Sequence, residues 1–289
     1  MGAQILQVIV NGVLLSLLYV LLSSGLTMIY GVMRILNWAH GSLVMLGAFL
    51  VYFVFAKHDI NYVAGLIVAI IGMAALGVIV ERLIFKPKRN AVLTAFIMSM
   101  GVLYILEVVA EVAFGTQSRF VPPIIPGFIK VGGVLMGSNR LILIPIALAL
   151  ALAYWAFLER TKWGRAIRAT SQNKIGAGLA GVNIEWMAVL AMATGCGLAG
   201  AAGALMAPTI GITPFIDTSL SWKAFIIVFI GGRLSLIGTV LGAFLVGFTE
   251  SIVTAYWGPE WVIMMEMAIL ALVLFFRPGG LLGVEVKED

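Results

Sequence analysis

Residues 62–80 read YVAGLIVAIIGMAALGVIV and contain no Asp, Glu, Lys or Arg. Extended to residue 84, the run is roughly 34 Å long as a helix, enough to cross a hydrocarbon core of about 30 Å. The rest of the chain repeats the pattern. Its 289 residues are 62% hydrophobic and 11% charged, whereas a soluble domain carries about 25% charged residues. Further apolar runs read as spans at about 5–30, 36–56, 91–114, 140–158, 186–207, 238–256 and 260–277. Residues 222–231 make a shorter piece, closed by Gly231 and Gly232, which reads as a half-helix that dips into the membrane. The expectation is an all-α polytopic membrane protein with about eight transmembrane helices plus a re-entrant or broken segment near 222–238. Residues 1–289 form one transmembrane domain. A membrane β-barrel would show roughly ten-residue alternating segments, and none are visible.

The opening MGAQILQVIVNG lacks the basic n-region of a cleaved signal. The one cysteine, Cys196, has no partner for an internal disulfide, and no Asn-x-Ser/Thr sequon occurs. The net charge of +5 is read as topology, not nucleic-acid binding, because Lys and Arg gather in cytoplasmic loops. Lys86, Lys88 and Arg89, with Arg82 just before them, mark one such loop. Arg160, Lys162, Arg165, Arg168 and Lys174 mark another, and Arg277 and Lys287 mark the C-terminal tail. The N-terminus then lies outside, 30–36 lies inside, and 115–139, with Pro122, Pro123 and Pro126, becomes the long external loop.

Several chemistries have no motif here. There is no G-x-x-x-x-G-K-[ST] phosphate loop, so ATP hydrolysis by this chain is not expected. No H-E-x-x-H, no paired Cys or His with metal-ligand spacing and no G-x-S-x-G nucleophile turn is present.

What remains is a set of polar residues inside apolar sequence. The stretch GVMRILNWAHGSLVMLGAFL, 31–50, carries Arg34, Asn37 and His40. A charge at a helix centre costs roughly 2.5–3.5 kcal/mol on insertion scales. Arg34 therefore either snorkels to the inner interface or lines a wet cavity. Asn37 either caps the second span or joins His40, three residues on, at the inner mouth of a path. Arg233, in GGRLSLIG, sits where glycines free the backbone, and irregular backbone at membrane depth needs protein or water around it. Glu107 and Glu111 share one face of the fourth span, as a relay or simply near the outer water. Glu250 and Glu266 are lone acids that either pair with Arg233 or face another subunit. Leu46–Val51 and Leu241–Val246 are both LGAFLV, and each follows a turn with an arginine: either an internal repeat of the kind transporters are built from or a chance recurrence of six letters in so apolar a sequence.

The stretch ERTKWGRAIRATSQNKIGAGLAGVN, 159–183, interleaves bases with Ala and Ile. It reads either as a solvated connector or as a short amphipathic helix at the membrane surface that docks a cytoplasmic partner.

These residues together resemble the branched-chain (hydrophobic) amino acid ABC importer permeases of the LivH type. Gly25-Leu26-Thr27-Met28-Ile29-Tyr30-Gly31 through Asn37-Trp38-Ala39-His40-Gly41 is similar to that family's signature. The run from Gly164-Arg165-Ala166 through Gln172-Asn173 to Leu179-Ala180-Gly181-Val182-Asn183 looks like its coupling loop, the run from Gly231-Gly232 through Ser235-Leu236-Ile237-Gly238 and Leu241-Gly242-Ala243 to Glu250-Ser251 looks like its late Gly-rich turn, and Arg277-Pro278-Gly279-Gly280-Leu281-Leu282-Gly283 matches its C-terminal end. The resemblance implies a bacterial or archaeal inner-membrane permease that works with a second permease subunit, two cytoplasmic ATPase subunits and a periplasmic substrate-binding protein. ATP would be used by those ATPases, with no cofactor in this chain. Arg165, Arg168, Gln172, Asn173 and Gly181 would belong to the coupling region 159–183. Arg34, Asn37, His40 and Arg233 are, from the reading of the residues themselves, the candidates for the translocation path. Gly176 and Gly178 depart from the acidic or larger residues common there, and Arg233 from a position that is often small. The alternative is a stand-alone proton-coupled transporter.

Overall fold

The computed structural model of the chain describes residues 2–88, 91–131 and 134–283. In chain order it contains α1 (Gly2–Met33), then α2 (His40–Val51), prolonged by a π-helical turn over Tyr52–Lys57. Next come α3 (Tyr62–Val80), prolonged by a π-helical turn over Glu81–Phe85, and α4 (Val92–Phe114). A hairpin of β1 (Phe128–Val131) and β2 (Val134–Gly137) follows. Then come α5 (Ser138–Arg160), α6 (Lys162–Gln172), α7 (Lys174–Leu179), α8 (Ile184–Met206) and α9 (Asp217–Gly231). The series ends with α10 (Leu236–Tyr256), a 3-10 turn over Pro259–Trp261, and α11 (Val262–Phe276).

Among the described residues, eight helical segments are long and apolar enough to cross a membrane. They fall within a few residues of the eight spans read from hydropathy. α9 has 15 residues and a length of about 22 Å, too short to cross, so it supplies the expected broken segment. It starts at Asp217 rather than near 222. The Asp217 carboxylate accepts the Thr218 N–H at 2.7 Å and the hydroxyl of Ser42, on α2, at 2.7 Å, so the helix starts five residues earlier, with Asp217, Leu220 and Ser221 buried. The second span likewise begins at His40, not 36, because Arg34 takes a left-handed φ of 59° and ends α1.

The helices alternate between two ends. At the basic end, Arg34 donates to Ser171 O at 3.1 Å, Lys86 pairs with Glu185 at 3.0 Å, and Leu281 N–H donates to Ile230 O at 2.8 Å. Arg89 and Lys287, read as parts of the same basic surface, lie outside the described residues. At the opposite end, Arg119 and Ile212 exchange backbone hydrogen bonds of 2.8 and 2.9 Å, which ties the 115–137 loop to 207–216. The β-hairpin in that loop was not legible in the Pro-rich sequence.

α8 is the centre of the bundle. Its apolar window is 78% buried, against 17% for α5 and 11% for Pro259–Phe276, which holds α11. Small residues allow this, since α1 and α8 meet backbone to backbone. A Cβ on Gly25 would lie 2.5 Å from Gly195 O, and one on Gly195 would lie 2.7 Å from Gly25 O. Close approach of this kind holds helices together where lipid supplies no hydrophobic drive between them. The outer helices turn large apolar side chains outward, among them Leu93, Val112 and Phe275, as lipid or a neighbouring subunit requires. The two LGAFLV copies lie on α2 and α10, which run in the same direction, away from the basic end.

Candidate functional site

The connector between α5 and α8 is built from caps. Thr161 Oγ1 accepts the Gly164 N–H at 2.9 Å and starts α6. Asn173 Oδ1 accepts the Gly176 N–H at 2.8 Å, which ends α6 and starts α7. Gly181, at φ 83°, closes α7 in a left-handed cap: its N–H donates to Gly178 O and the Val182 N–H to Ala177 O, each at 3.0 Å. Asn183 Oδ1 then accepts the Trp186 N–H at 3.0 Å and starts α8. The stretch read as one short amphipathic helix is therefore two, broken at Asn173. Its inward side does not lie on lipid. Gly164, Ile167, Thr170 and Ser171 are buried, and the helix packs on α1, α5 and α8.

The outward side of the connector combines bases with two apolar knobs. Arg165 and Gln172 are exposed, and Arg165 donates to Arg160 O at 3.1 Å. Arg168 is half-buried and paired with Glu159. Ile175 and Leu179 on α7 are 78% and 86% exposed. Asn173 and Gly181 serve the local architecture, as cap and turn.

The α1–α2 joint touches this connector directly. Arg34, held left-handed by its N–H bond to Tyr30 O at 2.8 Å, lays its guanidinium against Ser171 O in the last turn of α6. A cation there also meets the negative end of the α6 dipole. Deeper in, Asn37 and His40 are enclosed, at 1% and 0% exposure. His40 Nε2–H donates to Leu22 O at 2.8 Å, while its Nδ1 and both polar atoms of the Asn37 side chain have no partner among the described residues. Asn37 does not cap α2 through its side chain. The N-cap position is Ala39, and Asn37 contributes only its carbonyl, which accepts the His40 N–H at 3.3 Å. Trp38 between them donates its N–H to Ser99 Oγ at 3.0 Å and stacks on Phe225 at 4.8 Å. The start of α9 is pinned to the same place: the Gly41 N–H donates to Ser221 Oγ at 3.0 Å, and Ser221 donates to Trp38 O at 2.8 Å.

Arg233 stands apart, exposed at the turn between α9 and α10, with its guanidinium 5.9 Å from the Phe229 ring centre. The irregular backbone there is satisfied by protein. Gly231 O accepts the Leu282 N–H at 3.2 Å, and Ser235 Oγ accepts the Gly238 N–H at 3.0 Å to start α10. No side-chain hydrogen bond among the described residues joins Arg34, Asn37, His40 or Arg233 to one another.

The acids Glu250 and Glu266 do not pair with Arg233. Their partner is Lys223 on α9, whose Nζ donates to Glu250 Oε2 at 2.7 Å and to Glu266 Oε1 at 2.9 Å. The Tyr19 hydroxyl donates to the same Glu250 oxygen, and the lysine sits 5.4 Å from the Tyr19 ring centre. Four helices thus meet on one cluster. Tyr19 and Glu250 each lie fourteen residues from the basic ends of α1 and α10, about 21 Å along the axis and well inside the hydrocarbon. Sequence reading missed Lys223 because it flanks an apolar run like any snorkelling base; its place inside the half-helix was the available signal. Glu107 and Glu111 sit one turn apart on α4, both half-buried.

Known proteins similar to this chain are transport permeases. The family described as "Branched-chain amino acid transport system / permease component" matches residues 8–276. The high-affinity branched-chain amino acid transport system permease protein LivH of Salmonella typhimurium is 30% identical over 96% of this chain and 95% of its own length. BraD of Pseudomonas aeruginosa, named for the same kind of system, is 27% identical over 96% and 95%. The autoinducer 2 import system permease protein LsrC of Salmonella paratyphi B is 31% identical over 44% of this chain. No solved structure matches the chain.

Proposed function

We propose, from the premise that this chain belongs to the branched-chain amino acid transport permease family, that it forms half of the translocation path of a binding-protein-dependent ABC importer. It is a multi-pass membrane protein, and the importer handles branched-chain or other hydrophobic amino acids. Its basic end faces the cytoplasm of a bacterium or archaeon, where Lys and Arg are retained. A second permease subunit supplies the other half of the path, and two cytoplasmic ATPases bind and hydrolyse the ATP. A periplasmic binding protein delivers substrate to the opposite end. The excess of base serves orientation and docking, with no role toward nucleic acid.

The observation that carries this reading is the bond from Arg34 to Ser171 O. It ties the surface helix α6 to the break between two spans. In the proposed mechanism, the ATPases grip the outward side of α6 and α7 through Arg165, Arg168, Gln172, Ile175 and Leu179. Asn173 and Gly181 hold the elbow that presents this surface. Closure of the ATPases displaces α6, Arg34 carries the displacement into the 33–40 joint, and α2 shifts against α1. Asn37 and His40, with polar atoms that have no partner among the described residues, are the groups that gain partners as the path opens. An orphaned buried polar atom costs about 1–3 kcal/mol, enough to bias a two-state joint. Arg233, at the α9–α10 turn, lies at the cytoplasmic exit.

Reconstitution in proteoliposomes tests the reading. The chain with its permease partner, ATPases and binding protein should accumulate leucine only with ATP. Accumulation driven by a proton gradient in vesicles holding this chain alone would establish the stand-alone transporter instead.

A further inference from the structure

The outer half of the chain holds a cavity of about 530 Å³ that the coupling machinery does not use. It lies between α1 and α10, beside the start of α5 and residues 209–210. Asn11 and Thr254 give it polar walls, and Leu14 and Leu18 give it an apolar one. A charge stands at each end. Arg140 is exposed at the end away from the basic loops, with Nη1 donating to Asn11 Oδ1 at 2.5 Å. Glu250 lines the cavity deeper in and is held by Lys223 and Tyr19.

These two ends describe a guest. The buried cluster sets one lysine against two carboxylates, Glu250 and Glu266, and so carries one uncompensated negative charge when ionised. Charges at membrane depth are costly and pair with a partner or line a wet cavity. An ammonium group entering the cavity would supply that partner. The guanidinium at the outer end is suited to a carboxylate, which it can meet with two parallel hydrogen bonds. A neutral α-amino acid with an apolar side chain carries all three complements. Asn11, which anchors Arg140, and Tyr19, which anchors Glu250, are eight residues apart on one helix, about 12 Å. A single amino acid cannot bridge that span, so it meets the two ends in turn, ammonium leading.

We propose that this cavity is the outer receiving site of the permease: Arg140 meets the substrate carboxylate at the mouth, Glu250 holds the ammonium within, and the apolar side chain lies along Leu14 and Leu18. The assignment rests on the importer reading above. It predicts a selectivity step within the permease, separate from that of the binding protein.

The chain has a single cysteine, Cys196, which is buried, so an introduced one can be followed. The test is Thr254→Cys in the assembled complex, with partner subunits lacking reactive cysteines, in lipid nanodiscs without binding protein. Labelling by a membrane-impermeant thiosulfonate is timed against L-leucine and against its α-hydroxy analogue, which has a hydroxyl in place of the ammonium. Leucine should slow labelling at a concentration roughly tenfold to a hundredfold lower than the analogue, the difference a charge-assisted hydrogen bond makes. Glu250→Gln should erase that preference. Equal protection by the two compounds, or none by leucine, overturns the assignment, and this comparison stands even if Glu250→Gln fails to assemble. ATP-driven leucine uptake by the parent complex in proteoliposomes, with binding protein restored, separates the two layers. Uptake without the labelling preference removes only the site. Absence of uptake in the parent complex removes the importer reading beneath it.

Discussion

Replacing Lys223 by Met would remove the cation that Glu250 and Glu266 share. The Glu266 side chain is 1% exposed, and those of Lys223 and Glu250 are 15% and 21% exposed, so water cannot substitute freely for the lost ammonium. Breaking a buried pair by deleting one partner costs about 3–5 kcal/mol. At roughly 2–4 °C per kcal/mol for a domain of this size, the melting point should fall by roughly 6–20 °C. The triple variant Lys223→Met, Glu250→Gln, Glu266→Gln should recover most of that loss, because neutral replacement of a whole buried ion cluster is often near neutral. The assay is thermal unfolding of the purified complex, with cysteine-free partners, followed by a thiol-reactive dye that reports Cys196 as it emerges. A Lys223→Met melting point within about 2 °C of the parent would refute the claim that the cluster is buried and ionised, as would a triple variant no more stable than the single one.

Three further outcomes are expected. Arg34→Gly keeps the left-handed backbone, which glycine adopts freely, but removes the bond to Ser171; stability should hold within about 1 kcal/mol while uptake per ATP hydrolysed falls, measured as the ratio of the two rates. Leu179→Asp changes an 86% exposed side chain, so insertion and melting should stay within about 0.5 kcal/mol of the parent, yet co-purification with the ATPases should be lost. Gly25→Val should force α1 and α8 apart, since even a Cβ would sit 2.5 Å from Gly195 O; membrane yield and melting point should both drop, by about 1–3 kcal/mol or more for overpacking.

Hydropathy made the spans legible, because lipid imposes one simple demand: a backbone that satisfies itself over roughly 20 apolar residues. The half-helix was legible for the related reason that 222–231 is too short to cross and ends in glycines. What hydropathy could not reveal was where polar side chains find one another. Asp217 extends α9 by bonding Ser42, 175 residues away in sequence, and Lys223 joins acids on two later helices. Local sequence holds no trace of such contacts. The connector is an intermediate case. Its bases, its cap Asn173 and its turn residue Gly181 were visible as residues, but the break at Asn173 depends on which N–H its side-chain oxygen captures. Arg34 was singled out correctly as unusual, while its contact, the carbonyl of Ser171, could come only from three-dimensional structure.

The C-terminal end of α9 depends on a distant stretch of chain. Its carbonyls at Ile230 and Gly231 are taken up by the N–H groups of Leu281 and Leu282, which are synthesised after α10 and α11. Until both of those helices have left the ribosome and entered the bilayer, the dipped segment has no finished anchorage. Biogenesis must therefore hold α9 in a provisional position while two later spans are threaded past it. Lesions in the Arg277–Gly283 turn should then appear first as failures of assembly, with the half-helix slipping out, before any defect in transport can be measured.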